Sequence, residues 1–289
     1  MLQSIIQGLL MGGVFALAGV GMSMIFGIVK LTNLAHGEML ILAAYFSNVI
    51  CSATGIHPLV SMVIVAPVMF GIGYLLQRTL INRVLGPGKG DEPAMLVTFG
   101  LSVILQNLMQ HVFSMNPTKL KVGYAIKSIV LSEDAIIPVI YLINFIFCVI
   151  VIIILSYFLN RTYLGKSIRA VSDDNDAAAI MGINVKATYG IAMGIALATA
   201  AISGILIGTT FSFYPTTGQD YLLIAFGVVV IGGMGSIFGT LIGGAILGMA
   251  QMIAAYFLGT AYQTLAGYVI LLILLTVRPQ GLLSKKMRK

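Results

Sequence analysis

"YLLIAFGVVVIGGMGSIFGTLIGGAILGMAQMIAAYFLGTAYQTLAGYVILLILLTV", residues 221–277, contains no Asp, Glu, Lys or Arg. A spanning helix needs about 20 apolar residues, because the hydrocarbon core is about 30 Å thick and a helix rises about 1.5 Å per residue. The stretch is too long for one crossing and long enough for three. Asp220 precedes it and Arg278 closes it. Other charge-free runs cover 1–29, 39–77, 93–118, 135–160 and 187–219. Run 39–77 is long enough for two helices, and Gly55-Ile56-His57-Pro58 is the turn signal that divides them. The pattern predicts an all-α, polytopic membrane bundle of about nine spans, with residues 1–289 forming one transmembrane domain.

Composition agrees. Hydrophobic residues make up 59% of the chain and charged residues 9%, against roughly a quarter charged in soluble domains. Residues 1–29 lack a basic leader and a small-residue cleavage site, so they read as a retained span. Cys51 and Cys148 both lie in apolar runs and read as buried small hydrophobes. The net charge of +7 follows the positive-inside bias of membrane proteins and points to a lipid bilayer, with no nucleic acid partner.

That bias also fixes the orientation. With 78–92, 161–186 and the tail inside, thirteen cations are cytoplasmic: Lys30, Arg78, Arg83, Lys89, Arg161, Lys166, Arg169, Lys186, Arg278, Lys285, Lys286, Arg288 and Lys289. Three remain outside: Lys119, Lys121 and Lys127. The last run must then cross an odd number of times. Three crossings fit its length, and the one near 222–232 is short and glycine-bounded, as a broken or half helix is. The amino end lies outside and the carboxyl end inside.

Glycines often stand four apart, as in Gly8/Gly12 and Gly244/Gly248. That spacing lets helix backbones approach closely in lipid. Glu38-Met-Leu-Ile-Leu-Ala echoes Asp220-Tyr-Leu-Leu-Ile-Ala. The topology puts the first acid inside and the second outside, the arrangement that an inverted repeat with broken helices produces.

The chemistry-bearing residues are few. No charged residue falls at the centre of a predicted span, which argues against an ion-coupled transporter. There is no GxxxxGK[ST] phosphate loop. His36, His57 and His111 lack metal-ligand spacing. No catalytic residue, metal site or cofactor is expected. Two polar interruptions remain. Asn33, His36, Gly37 and Glu38 cluster where the chain enters the second span, either as a short polar loop or as irregular backbone bordering a translocation cavity. Gly232, Gly233, Gly235 and Ser236 break the last run, as a tight turn or as a flexible gate. The sequence leaves each pair of alternatives open.

One more stretch stands apart. "GKSIRAVSDDNDAAAIMGIN", residues 165–184, holds Asp173, Asp174 and Asp176, three of the nine acids. Ser172 suits an N-cap with Asp173 and Asp174 in the first turn, where the helix dipole favours negative charge. Ala177 to Met181 favour helix, and Gly182 suits a left-handed terminus. A helix of about nine residues follows, too short to stand alone and so in need of a partner surface.

Asp176-Ala177-Ala178-x-x-x-Gly182 resembles the EAA---G loop of ABC-importer permeases, which docks into a cleft of the ATPase subunit. Asp replaces the usual Glu, and Ile183-Asn184-Val185 replaces the residues that usually follow the glycine. "NLAHGEML" (33–40), "RAVSDDNDAAAIMGINV" (169–185), "VVIGGMGSIFGTLIGGAILG" (229–248) and "LLTVRPQGLL" (274–283) resemble the branched-chain amino-acid ABC-importer permease family along essentially the whole chain. The resemblance is to the shorter permease of the pair. It implies a multi-pass permease of the bacterial cytoplasmic membrane, working with a second permease subunit, two cytoplasmic ATPase subunits and an extracytoplasmic substrate-binding protein. Its substrates would be leucine, isoleucine and valine, or urea, amides or another small polar solute taken by the same family. The coupling loop would span about 161–186, with Asp173, Asp174, Asp176, Ala177, Ala178 and Gly182 in the docking surface. A self-sufficient channel is the alternative of another class, and a channel has no need of a docking helix.

Overall fold

The computed structural model of the chain describes residues 1–85, 92–132, 135–278 and 281–283. Of the cations used for orientation, Lys89, Lys285, Lys286, Arg288 and Lys289 lie outside the described residues. The long helices are α1 (Leu2–Ile28), α2 (His36–Thr54), α3 (Pro58–Leu76) and α4 (Glu92–Phe113). After a hairpin of β1 (Ser128–Ser132) and β2 (Ala135–Pro138) come α5 (Val139–Arg161), α6 (Tyr163–Asp173) and α7 (Asn175–Ile180). The chain then forms α8 (Val185–Thr210), α9 (Gly218–Gly232), α10 (Ile237–Leu258) and α11 (Gln263–Val277). Eight helical stretches among the described residues are long and apolar enough to cross a membrane. With α9 they make the nine expected, and α9, at 15 residues, is only about 22 Å long.

Local signals set most boundaries. Gly55 closes α2 with φ +72°. His57 caps α3, its Nδ1 accepting from Leu59 N at 3.2 Å, and Pro58 takes the first helical position. A π-helical turn, Gln77–Ile81, carries α3 on to Val84. The all-α reading has one exception. Residues 135–138, read as the start of a span, pair antiparallel with 128–132. Ile136 and Ile137 are β-branched, and Pro138, with no N–H and a fixed φ, leaves Val139 as the first helical residue.

The core is built on close backbone contact. α1 is almost wholly buried and lies against α10, where a Cβ at Gly12 would sit 2.5 Å from Gly244 O and one at Gly8 2.6 Å from Met249 Cα. The glycine pairs spaced by four are thus a helix–helix seam. α3 packs on α8, with Gly73 against Met193 and Gly194.

The main departure from the expected topology is depth. His36 Nε2 donates to Ala18 O at 3.0 Å. Ile28 ends α1 ten residues beyond Ala18, about 15 Å further on. After α1 the chain therefore turns back through 29–35, and α2 begins well inside the bundle. Beyond α8 the segment 211–217 does the same from the opposite face, anchored by the buried Phe213, whose ring meets Tyr45 edge-on with centroids 5.0 Å apart. α2 and α9 then start against each other: a Cβ at Gly37 would overlap Gly218 O, and one at Gly218 would lie 3.0 Å from Glu38 Cα. Glu38 and Asp220, expected at opposite faces, stand at one level. Hydropathy marks where charge is absent and carries no sign of irregular backbone re-entering the bundle, so the charge reading put both acids at the ends of spans.

The pairs α1–α2 and α8–α9 share one plan. Each is a long helix, a strap (irregular at 29–35, ending in a 3-10 turn at Pro215–Thr217 in the other) and a helix that starts at mid-depth, and the two run in opposite directions. Glu38 and Asp220 are each the third residue of their helix. An inverted repeat, which the six-residue echo also suggested, has this plan.

Two outcomes are expected. Gly37→Ala drives a methyl into Gly218 and destabilises the bundle by about 3 kcal/mol, whereas Gly71→Ala, which meets nothing within 4 Å, is neutral; monodispersity and thermal melting in detergent measure both. Ile126, 96% exposed, and Met181, 81% exposed, lie on opposite faces. In intact cells a cysteine at 126 is labelled by an impermeant thiol reagent and one at 181 is not; the reverse pattern inverts the orientation.

Candidate functional site

The segment linking α5 to α8 is held by local hydrogen bonds. Thr162 caps α6, its Oγ1 accepting from Gly165 N at 3.0 Å. Gly165, Ser167, Ile168 and Val171 form the buried face of α6. The expected cap at Ser172 is corrected. Ser172 lies in the last turn of α6, where its Oγ donates to Gly27 O at the end of α1. Asp173 ends α6, and Asp174 is the N-cap of α7, its Oδ1 accepting from Asp176 N at 2.9 Å and Ala177 N at 3.0 Å. α7 has six residues rather than about nine, because the extended backbone at Asp174 breaks the helix between the aspartates.

The end of α7 is as the sequence predicted. Gly182 has φ +83°. Ile183 N bonds to Ala178 O and Gly182 N to Ala179 O, both at 3.0 Å, which is the pairing of a Schellman terminus. Asp173, Asp174, Asp176, Ala177 and Gly182 are exposed. Ala178 is buried and seats the helix on its own chain, so the surface that α7 presents is instead Ile180, 85% exposed, with Met181 beside it.

Gly232, Gly233, Gly235 and Ser236 form a tight turn between α9 and α10, with Gly233 at φ +102° and Gly235 at φ +79°. Ser236 Oγ caps α10 by accepting from Gly239 N at 3.0 Å. A Cβ at Gly27 would lie 2.9 Å from Gly235 Cα. Ser172, Gly27 and Gly235 are therefore in series, on the wall of a cavity of about 910 Å³ whose lining includes Arg161 and Arg169. This turn lies by the segment that links α5 to α8, apart from the junction around Gly37.

The other is the mid-depth junction. Asn33, His36, Gly37 and Glu38 are all buried there. Asn33 Oδ1 accepts from Ala35 N at 3.1 Å. Thr98 Oγ1 of α4 accepts from Leu34 N at 3.2 Å. Glu38 is fully buried, and Ser102 of α4 is the side chain that faces its carboxyl group. The sequence reading placed a span at 93–118 but left its polar residues out of the site. Thr98, Ser102 and Gln106 stand four apart on one helix face, a polar stripe that the spacing alone could have shown. Among the described residues no group of three His, Cys, Asp or Glu could hold a metal ion.

The sequence that folds into this bundle matches a known family. A model of the family described as "Branched-chain amino acid transport system / permease component" covers residues 4–277. The chain belongs to this family. It is 28% identical over 296 residues to the high-affinity branched-chain amino acid transport system permease protein LivH of Salmonella typhimurium, covering 98% of this chain and 96% of that one. The corresponding protein BraD of Pseudomonas aeruginosa is 27% identical over 297 residues, with the same coverage. A shorter similarity, 34% over 130 residues, reaches the ribose import permease protein RbsC of Escherichia coli, covering 42% of this chain and 40% of that one. No solved structure matches the permease. The permease is a multi-pass membrane protein and a transport subunit rather than an enzyme.

Gly182→Val forces a β-branched residue into a left-handed conformation, at a cost of about 1–2 kcal/mol. The variant is expected to show faster amide exchange across 174–183 with protection in α8 unchanged; equal exchange in both forms removes the glycine terminus as the lock on α7.

Proposed function

We propose that the permease is a transmembrane subunit of an ATP-binding cassette importer. It translocates leucine, isoleucine and valine handed over by an extracytoplasmic binding protein. A second permease subunit completes the pathway, and two cytoplasmic ATPase subunits supply the energy. Full-length similarity to permeases named for branched-chain amino acids supports the substrate class. The observation that carries the coupling role is α7: a six-residue helix, capped by Asp174 and closed by Gly182, that displays two large apolar side chains.

A marginal helix held at both ends is a rigid peg. Ile180 and Met181 offer apolar surface to a cleft, the small Ala177 lets the helix enter it, and Ala178 fixes the peg to the permease. Asp173 and Asp176 border the contact. A push on α7 passes through α6 to Ser172, from there to the end of α1 at Gly27, and on to the α9–α10 turn at Gly235. α9 leads from that turn to the mid-depth junction. Nucleotide-driven closure of the ATPases thereby rocks the helices around the junction, a rigid-body switch between inward and outward access.

Met181→Asp and Ile180→Asp are expected to cut ATPase co-purification at least tenfold and to abolish leucine uptake, with normal membrane levels of the permease. Wild-type retention of the ATPases together with wild-type transport in both variants overturns the docking role. Deletion of the permease should abolish ATP-dependent uptake of leucine, isoleucine and valine. Intact leucine uptake with lost urea or amide uptake transfers the protein to that substrate class.

A further inference from the structure

α3 continues past the point where the hydrocarbon ends. A helix that starts at Pro58 crosses the core of about 30 Å in about 20 residues, which brings it to Arg78. The π-helical turn Gln77–Ile81 stands at that level. In an α-helix, residues five apart lie about 140° apart around the axis. A turn with i→i+5 bonds brings such residues onto one side. Gln77 Nε2 accordingly donates to Asn82 Oδ1, five residues on, at 3.0 Å. Arg78 and Arg83 have the same separation. The turn thus gathers two guanidinium groups, and single π turns of this kind are frequent at functional sites.

Both arginines line a cavity of about 510 Å³ between the end of α3 and the start of α8, together with Tyr74, Asn82, Asn184 and Lys186. Its frame is fixed. Asn82 Nδ2 donates to Lys186 O at 3.2 Å, which ties the two helices together. Asn184 Oδ1 accepts from Ala187 N at 3.0 Å, which leaves the NH2 end of its amide as a donor. No acid lines the cavity. Among the described residues none forms an ion pair with Arg78, Arg83 or Lys186. Three like charges around one cavity repel, and an anionic guest relieves that repulsion.

The rest of α3 says what kind of anion. Ile64, Val68 and Leu75 are 49%, 46% and 58% exposed. They stand four and seven residues apart, and Arg78 is three beyond Leu75, so all four share one helix face. That face is an apolar strip ending in cations at headgroup depth. A phospholipid with an anionic headgroup has the matching profile, its chain beside the strip and its phosphate in the cavity. Guanidinium groups bind phosphate through paired hydrogen bonds, and basic pockets between helices at the cytoplasmic side suit anionic headgroups.

We infer that the cavity between the π turn of α3 and the start of α8 is a binding site for the headgroup of an anionic phospholipid. Arg78, Arg83 and Lys186 are its cations and Asn184 its neutral donor. The site does not depend on which solute the permease carries. Asn184 and Lys186 follow directly on the Gly182 terminus, so a bound lipid braces α3 against α8 where the α7 segment rejoins the bundle.

The chain contains no tryptophan, so Leu75→Trp places a single reporter beside the cavity. The full-length variant is reconstituted in vesicles of phosphatidylcholine and phosphatidylglycerol, with one or the other brominated in its chains. Brominated phosphatidylglycerol is expected to quench with an apparent affinity at least threefold above that of brominated phosphatidylcholine. The preference should vanish when Arg78→Gln, Arg83→Gln and Lys186→Gln are combined. It should be absent for Ile104→Trp, on an exposed face of α4. Equal quenching by the two lipids at position 75 overturns the site, as does a preference that survives the three substitutions. A lipid is held by its chain as well as its headgroup, so millimolar inorganic phosphate should not displace it. Loss of the preference in phosphate, but not in chloride of equal ionic strength, assigns the cavity to free phosphate and overturns the lipid. A second measurement needs no reporter. In native mass spectrometry the wild-type permease, extracted with its accompanying subunits, is expected to retain at least one phosphatidylglycerol more than the triple variant. Equal retention overturns the site. A wild-type complex with a protein cross-linked through position 78 and no retained lipid gives this face to a protein partner and overturns it as well.

Discussion

Backbone that leaves the α-helix inside a membrane must find its hydrogen bonds within the protein, and this permease has two such segments, 29–35 and 211–217, the second ending in a 3-10 turn. Each is supplied locally. Asn33 takes the amide of Ala35 on its side chain and the amide of His36 on its carbonyl. Thr98, from another helix, takes that of Leu34. On the other side Phe213 exchanges both backbone bonds with Thr118 at 2.8 Å, and Thr217 pairs with Tyr214. The polar residues that look like chemistry in the sequence are largely this scaffolding. Asn33 and His36 hold the strap in place. Glu38, buried in the same junction, faces Ser102 of α4.

The same accounting explains why the cytoplasmic segment and the junction, which lie far apart in sequence, act together. The Ser172 hydroxyl reaches the last turn of α1, and the bare backbones of Gly27 and Gly235 meet without intervening side chains. Contacts of that kind transmit displacement with little loss, because packed interiors are bistable and scarcely compressible. α9 is short for a reason. It has to begin at the junction and end at the turn, and 15 residues cover that distance.

Much of this was legible beforehand. The nine-helix pattern, the break at Gly55–Pro58, the short glycine-bounded helix and the left-handed Gly182 follow from spacing, turn chemistry and hydropathy. The position of the N-cap did not. Ser172 and Asp174 are equally good caps by type, and only the tertiary bond from Ser172 to Gly27 decides between them. Depth was also hidden. Glu38 and Asp220 sit at the edges of apolar runs, where charge normally marks a membrane face, and their shared level depends on two straps whose conformation has no compositional signature. The stripe of Thr98, Ser102 and Gln106 was visible in its four-residue spacing, but that it faces the start of α2 depends on how the helices pack.

The glycine seam between α1 and α10 also bears on synthesis. Gly12 and its partner Gly244 are separated by almost the whole chain. Ribosomes add about 5–20 residues per second, so α1 enters the bilayer on the order of 10–50 s before the helix that covers it. For that interval its glycine face is open to lipid or to the wrong helix. The first span made is thus the last to be completed, and the nascent permease must keep it unmatched until the carboxyl-terminal third arrives.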